Sequence, residues 1–298
     1  MVTIASAQYP ITAHASFKAW SLHVEKWVAE VSQKQAQLLL FPEYGSMELV
    51  SLFSEEIQKD IHKQIFELQN LRQDFCTVYA ELARKYQTII VAPSFPVIEN
   101  SKTVNRCYVF SPKGLIGYQD KFFMTRFEDE EWGIQSGEKL LSIFETDFGN
   151  FGIQICYDVE FAIGSQLLAS AGAQLILAPS CTETIRGASR VHVGAKARAL
   201  ENQAYVVISQ TVGKAEWSPA VDLNYGFAGF YCTPDKGLPE EGIIATGTPQ
   251  QEGWNIQQLD FSLIETVRND GQVFNFKDQQ QLSYQFKDEK VEIKKWKV

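Results

Sequence analysis

The chain predicts a layered α/β sandwich with one or two mixed sheets and helices on the outside. Three observations predict it. Continuous apolar runs, the mark of buried central strands, alternate with segments whose apolar residues recur at helical spacing. Two hairpin patterns with turn chemistry interrupt that alternation. No low-complexity linker divides the 298 residues, of which 45% are hydrophobic and 21% charged, so one sizeable core can form.

The elements follow in chain order. Thr3-Ile-Ala-Ser-Ala-Gln8 reads as a short buried strand. Phe17, Trp20, Val24, Trp27, Val28 and Val31 mark a helix. Ala36-Gln-Leu-Leu-Leu-Phe41 is a second buried strand and ends at Pro42-Glu43. Ile57, Ile61, Ile65, Leu68, Phe75, Val78 and Leu82 mark a long helical region with room for one break. Thr88-Ile-Ile-Val-Ala92 is a third central strand. Strands over 104–110 and 115–120 flank Ser111-Pro-Lys-Gly114, and strands over 141–146 and 151–155 flank Asp147-Phe-Gly-Asn150. A helix over 161–171, a strand over 174–178, a helix over 190–203 and a strand over 204–210 follow. The second helix is rich in small residues (Gly194, Ala195, Ala197, Ala199), expected to let a partner helix approach closely. Past Asp270 apolar positions thin out. The reading is therefore a single domain over 1–270 and a C-terminal tail, 271–298, expected to dock on a partner subunit. Its Lys-rich end, from Lys287 to Lys297, reads as a solvated edge strand.

Composition narrows the function. A net charge of −9 argues against nucleic acid or an anionic membrane surface as the main partner. Cys76, Cys107, Cys156, Cys181 and Cys232 are scattered and odd in number, with no C-x-x-C. A disulfide framework or zinc site is not expected, and a reducing cytoplasm fits best. No signal peptide and no membrane-spanning run is read. His14, His23, His62 and His192 share no metal spacing, so no metal is expected. His14 and His23 are expected at the surface, and His192 on a solvated or interface face. Elbow, phosphate-loop and dinucleotide motifs are absent.

Three polar residues stand where they are expensive. Glu43 ends one apolar run, Lys121 another (Ile116-Gly-Tyr-Gln-Asp-Lys121), and Cys156 a third (Phe151-Gly-Ile-Gln-Ile-Cys156). In open α/β sheets that edge is where ligands bind. A thiol needs a base, and a buried carboxylate with a raised pKa can serve. A tetrahedral oxyanion needs a donor, which an ammonium in a dry cleft supplies. The ammonium, with amides at a helix start, would also lower the thiol pKa, making Cys156 the most alkylation-prone cysteine. Each residue alone reads as a solvated strand end or a small hydrophobe; the set reads as a catalyst.

Pro42-Glu43, Asp120-Lys121 and Cys156-Tyr157-Asp158 resemble the three signatures of the nitrilase superfamily of carbon–nitrogen hydrolases, in the same order. Ala199-Leu200-Glu201-Asn202-Gln203 and Pro234-Asp235-Lys236-Gly237 resemble further family segments. The resemblance runs from about residue 3 to about residue 247 and implies a four-layer α-β-β-α sandwich with two mixed β-sheets and no cofactor. Cys156 would be the nucleophile, Glu43 the general base and acid, and Lys121 the oxyanion stabiliser, helped by the Tyr157 backbone N–H. A second glutamate is expected from Phe127-Glu128-Asp129-Glu130-Glu131. Counting back from Ser136-Gly137-Glu138 favours Glu130, with Glu128 in reserve. Tyr44, Cys181, Thr182 and Trp217 are expected pocket walls. Cys156-Tyr157-Asp158 resembles the amidase and ω-amidase-like branches rather than the Cys-Trp-Glu of true nitrilases. Asp158-Val-Glu-Phe161, Pro179-Ser-Cys-Thr182 and Trp217-Ser-Pro219 resemble stand-alone bacterial amidohydrolases. The expected activity is hydrolysis of a small linear amide through a thioester, releasing ammonia or an amine, in a homodimer or larger homo-oligomer. Nitrile or N-carbamoyl hydrolysis is the alternative in the same fold. A catalytically silent binding or scaffold protein is the alternative of another class.

Overall fold

Leu38, Leu39 and Leu40 show how the apolar runs are used. Leu38 and Leu40 pack into one core and Leu39 into another, as the period of two along a strand dictates. The computed structural model describes residues 1–288 and 294–296. The chain runs β1 (Val2–Pro10), α1 (Phe17–Ser32), β2 (Leu38–Leu40), a 3-10 turn (Gly45–Leu52), α2 (Glu55–Gln58), α3 (Ile61–Leu68), α4 (Arg72–Tyr86), β3 (Ile89–Val91) and β4 (Phe95–Glu99). Then come β5 (Lys102–Ser111), β6 (Gly114–Asp120), α5 (Arg126–Glu130), β7 (Ile143–Thr146), β8 (Gly149–Ile153), a second 3-10 turn (Cys156–Glu160), α6 (Ala162–Ser170), β9 (Leu175–Ser180) and α7 (Ile185–Asn202). The last elements are β10 (Tyr205–Lys214), β11 (Leu223–Asn224), β12 (Gly229–Tyr231), β13 (Ile243–Thr246), β14 (Gly253–Leu259), α8 (Phe261–Asp270) and α9 (Asn275–Asp288).

The strands form a mixed sheet with the order β4-β5-β3-β2-β1-β10-β9-β8-β7. β6 adds outside β5, β14 beside β1, and β12 with β13 beside β10. Strand pairing is continuous: β1 reaches β10 through Gln8–Gln210, Tyr9–Thr211 and Pro10–Val212. The α/β class with a mixed sheet matches the expectation, and the strand pairing is continuous across β1 and β10. One core gathers Leu38, Leu40, Val91 and Val109 with Ile153, Leu175, Leu177 and Val206. The other gathers Leu39, Phe41, Ile90 and Phe110 with Trp20 and Val28 of α1 and Phe75 and Tyr79 of α4.

Local signals set the helix ends. Ser16 caps α1 by accepting from the Ala19 N–H at 3.1 Å, and Thr184 caps α7 by accepting from the Gly187 N–H at 3.2 Å. Gln87 and Gln203 end α4 and α7 in the left-handed region, at φ 51° and 41°. The long helical region is broken into α2, α3 and α4.

Several expectations change. β6 is an outer strand, with Leu115 and Ile116 exposed, so Lys121 leaves an edge rather than a central strand. The tail starts as α9: Gln203 donates to the Val273 carbonyl and accepts from the Phe276 N–H, and Arg268 lies over the Phe276 ring. Of the expected edge strand, Lys287 and Asp288 are helical; 289–293 and 297–298 lie outside the described residues. His14 and His23 pack against buried Glu48. His192 is buried, stacked on Phe227 at 3.8 Å, with its ring nitrogens on Tyr231 and Gln210. The small residues of α7 face inward: Ala195 and Ala199 are in the core, and Gly194 abuts Val159 and Glu160. No helix among the described residues is long and apolar enough to cross a membrane.

Candidate active site

The chain leaves three strands and converges. Beyond β2 comes Glu43, beyond β6 Lys121, and beyond β8 Cys156. All three side chains are buried, and all line one cavity of about 630 Å³. Lys121 Nζ donates to Glu43 Oε1 at 2.7 Å and to Glu128 Oε2 at 2.6 Å. Asn105 Nδ2 on β5 donates to Glu43 Oε1 at 2.9 Å and reaches Glu128 Oε1 at 3.4 Å. The Cys181 N–H donates to Glu43 Oε2 at 2.9 Å, and the Cys181 carbonyl accepts from Cys156 Sγ at 3.6 Å.

Backbone geometry aims these groups. Tyr44, next to Glu43, has φ 54°, and Cys156 has φ 49°. Left-handed conformations of non-glycine residues cost about 1–3 kcal/mol each and concentrate at functional sites. The Asp158 carboxylate joins two strand ends, accepting from the Phe122 and Phe123 N–H groups after Lys121 and from the Ile155 N–H before Cys156. From α7, Arg198 donates to the Val159 and Glu160 carbonyls and steadies the same turn.

Glu128, not Glu130, stands beside Lys121. Thr125 begins α5, and Glu128 reaches back to accept from the Thr125 N–H and Oγ1 at 2.9 and 2.8 Å, a capping box. That turn points its carboxylate at Lys121 and Tyr44 Oη. Glu130 is two residues further round the helix, exposed and paired with Arg126. Thr125-Arg-Phe-Glu128 was the sequence signal for this choice. Asn105 was missed; an amide inside the apolar run over 104–110 was its signal.

The expected walls divide. Tyr44, Tyr157, Cys181 and Thr182 line the cavity. Trp217 does not: it packs on the second core, and Pro219 and Ala220 of the same loop take the wall position. Cys181 contributes mainly through its backbone, while its thiol turns to Asn224 Oδ1. The Thr182 hydroxyl is spent on the Tyr225 carbonyl.

Burial raises Glu43, the Glu128 charge adds to this, and Lys121 with the Cys156 thiol opposes it. Glu128 is lowered because Lys121 and the Thr125 and Tyr44 donors overcome its burial. Lys121 is raised: its two carboxylate neighbours outweigh a burial that alone would lower it. The Cys156 thiol moves opposite to expectation. Burial and the Glu43 charge push it well above the ordinary thiol value, and Lys121 only partly compensates. The turn carrying Cys156 is a five-residue 3-10 segment rather than a full helix, so it supplies little dipole.

A neutral thiol beside a raised carboxylate and a fixed ammonium suits acyl transfer, in which the thiol gives its proton to a base as the oxyanion forms. The carbon–nitrogen hydrolase family model matches residues 3–269. The chain belongs to the carbon–nitrogen hydrolase family. It is similar to the probable hydrolase YhcX of Bacillus subtilis, with 33% identity over 283 residues, 95% of this chain and 54% of that one. It is similar to the omega-amidase NIT2 of Xenopus tropicalis, with 29% identity over 191 residues, 61% of this chain and 64% of that one. The carbon–nitrogen hydrolase thus spans about half the length of YhcX and just under two thirds of NIT2. Its fold matches Saccharomyces cerevisiae Nit3, of branch 10 of the nitrilase superfamily, at a TM-score of 0.70 and 23% identity, covering 90% of this chain and 93% of that one.

Proposed function

We propose that this carbon–nitrogen hydrolase cleaves a non-peptide C–N bond in a small linear amide through a Cys156 thioester. The observation that carries the reading is the double clamp of Lys121 on Glu43 and Glu128, on the wall of the cavity that Cys156 lines. Cys156 Sγ attacks the carbonyl carbon as Glu43 takes its proton. The oxyanion settles on Lys121 and the Tyr157 N–H; one such donor is worth about 2.7–4 kcal/mol of barrier. Collapse breaks the C–N bond as Glu43 protonates the leaving nitrogen. Glu43 then deprotonates a water, which attacks the thioester. The C–S bond breaks, and the proton returns to sulfur. Glu128 and Asn105 act as positioning residues for Lys121 and Glu43.

The wall favours an amide without a carboxylate. Arg126 and Arg190 line the cavity, but Glu130 and Glu160 hold them. Glu131, Glu183 and Asp222 add negative charge to the same wall. The test is a panel of neutral amides, carboxylate-bearing amides, nitriles and N-carbamoyl compounds, with intact-mass trapping of the acyl-enzyme. Neutral amides should react best and leave an adduct that Cys156→Ala lacks. Full amidase activity in that variant would sink the mechanism. Carbon dioxide released with ammonia would move the substrate to N-carbamoyl compounds.

The assembly belongs to the same proposal. The two cores fit two sheets facing each other in a four-layer sandwich, joined where β1 meets β10. The outer faces of α6 and α7 expose Ile163, Leu167, Val193 and Leu200, an apolar surface suited to a second copy. Sedimentation should give a dimer at micromolar concentration; a monomer alone would refute the pairing. The five free cysteines fit a reducing, cytoplasmic setting.

A further inference from the structure

We propose that His14, His23 and Glu48 form a divalent-cation site of the zinc class, separate from the hydrolytic cavity. The three residues come from different elements: His14 from the loop after β1, His23 from α1, and Glu48 from the 3-10 turn over Gly45–Leu52. His14 Nε2 lies 3.4 Å and His23 Nε2 3.9 Å from Glu48 Oε1, and the three ligand atoms all lie within 4.8 Å of one another. Zinc holds nitrogen at about 2.0–2.1 Å and carboxylate oxygen at about 2.0–2.2 Å. Small rotations of the two rings would bring all three atoms onto one ion.

Two observations point to a ligand beyond the clustering itself. Glu48 is buried at 1% exposure, yet among the described residues no lysine or arginine pairs with it. A buried carboxylate without a counter-charge is costly, and a divalent ion between it and neutral imidazoles removes that cost. His23 Nε2 is buried and makes no hydrogen bond. The carboxylate is also held as metal ligands usually are: Glu48 Oε2 accepts from Tyr9 Oη at 2.8 Å and Trp20 Nε1 at 3.1 Å, while Oε1 accepts from the Thr12 N–H at 3.2 Å and faces the histidines. Lys26 and Glu252, the other charges acting on His23, oppose each other. Two imidazoles and one carboxylate suit zinc or cobalt and leave a fourth position for water. The ion would tie the β1 loop and α1 to the turn that begins two residues after Glu43.

The test uses the full chain carrying Cys156→Ala, stripped with a chelator, so that the nucleophile cannot take up metal. Zn²⁺ alone is titrated by calorimetry and Co²⁺ alone by visible absorption. About one ion per chain should bind, with cobalt ligand-field bands and no thiolate charge-transfer band. His14→Ala and His23→Ala should each weaken binding by more than about 100-fold, beyond the loss of an outer-shell partner, with an unchanged circular dichroism spectrum. No saturable binding, a thiolate band, or equal affinity in the folded His14→Ala/His23→Ala double variant would each overturn the proposal.

Discussion

Glu128 acquires its place from two demands met by one side chain: it closes the start of α5 and it balances Lys121. Glu128→Gln keeps the shape and removes the charge. Its kcat should fall at least about tenfold, equivalent to about 1.4 kcal/mol of barrier, with KM changed much less. Glu130→Gln, which loses only an exposed pair with Arg126, should stay within about twofold in kcat and about 0.5 kcal/mol in stability. A loss in Glu130→Gln with Glu128→Gln spared would return the role to Glu130. At this scale the sequence shows Glu43, Lys121 and Cys156 plainly, because each interrupts an apolar run. Glu128 was harder to see because the choice depends on where α5 starts, and counting from Ser136-Gly137-Glu138 says nothing about that. Asn105 was hidden because a single amide in a strand looks the same whether it faces a carboxylate or water.

Among the elements, α7 shows what pattern reading misses. Its small residues were visible, but not the neighbour they serve. A Cβ on Gly194 would lie 2.9 Å from the Val159 carbonyl oxygen and 3.1 Å from Glu160 Cα, both backbone atoms of the Cys156 turn. Gly194→Ala should therefore destabilise by about 1–3 kcal/mol from overpacking, against the roughly 1 kcal/mol that alanine gains in a helix interior. It should also lower kcat by moving the nucleophile; thermal unfolding and steady-state kinetics test both. A stabilised, fully active variant would show that the turn yields freely. Strands were legible as apolar runs and hairpins by their turns. The edge position of β6 was not, because Ile116 and Leu115 look as apolar there as they would in a centre.

For the molecule as a whole, the α/β class was legible, while the junction between β1 and β10 depends on register that a sequence does not carry. Global stability should show one buried histidine. Burial lowers His192 from 6.5 to about 4. A depressed histidine favours folding when neutral, so its contribution is complete above pH 6.5 and is lost as pH falls from 6.5 toward 4. The loss should approach about 3 kcal/mol. Urea unfolding of wild type and His192→Gln across that range checks it. The variant's curve should lack this component, and parallel curves would refute the assignment.

The raised thiol of Cys156 has a consequence for the protein's survival between turnovers. Peroxide and alkylating agents attack thiolate, and burial with the Glu43 charge pushes this thiol away from that form. Its reactivity is conditional: it appears when an acyl carbon arrives and Glu43 takes the proton. A nucleophile guarded in this way would outlast a preformed thiolate under oxidant, and iodoacetamide would label it slowly despite its position in an open cavity.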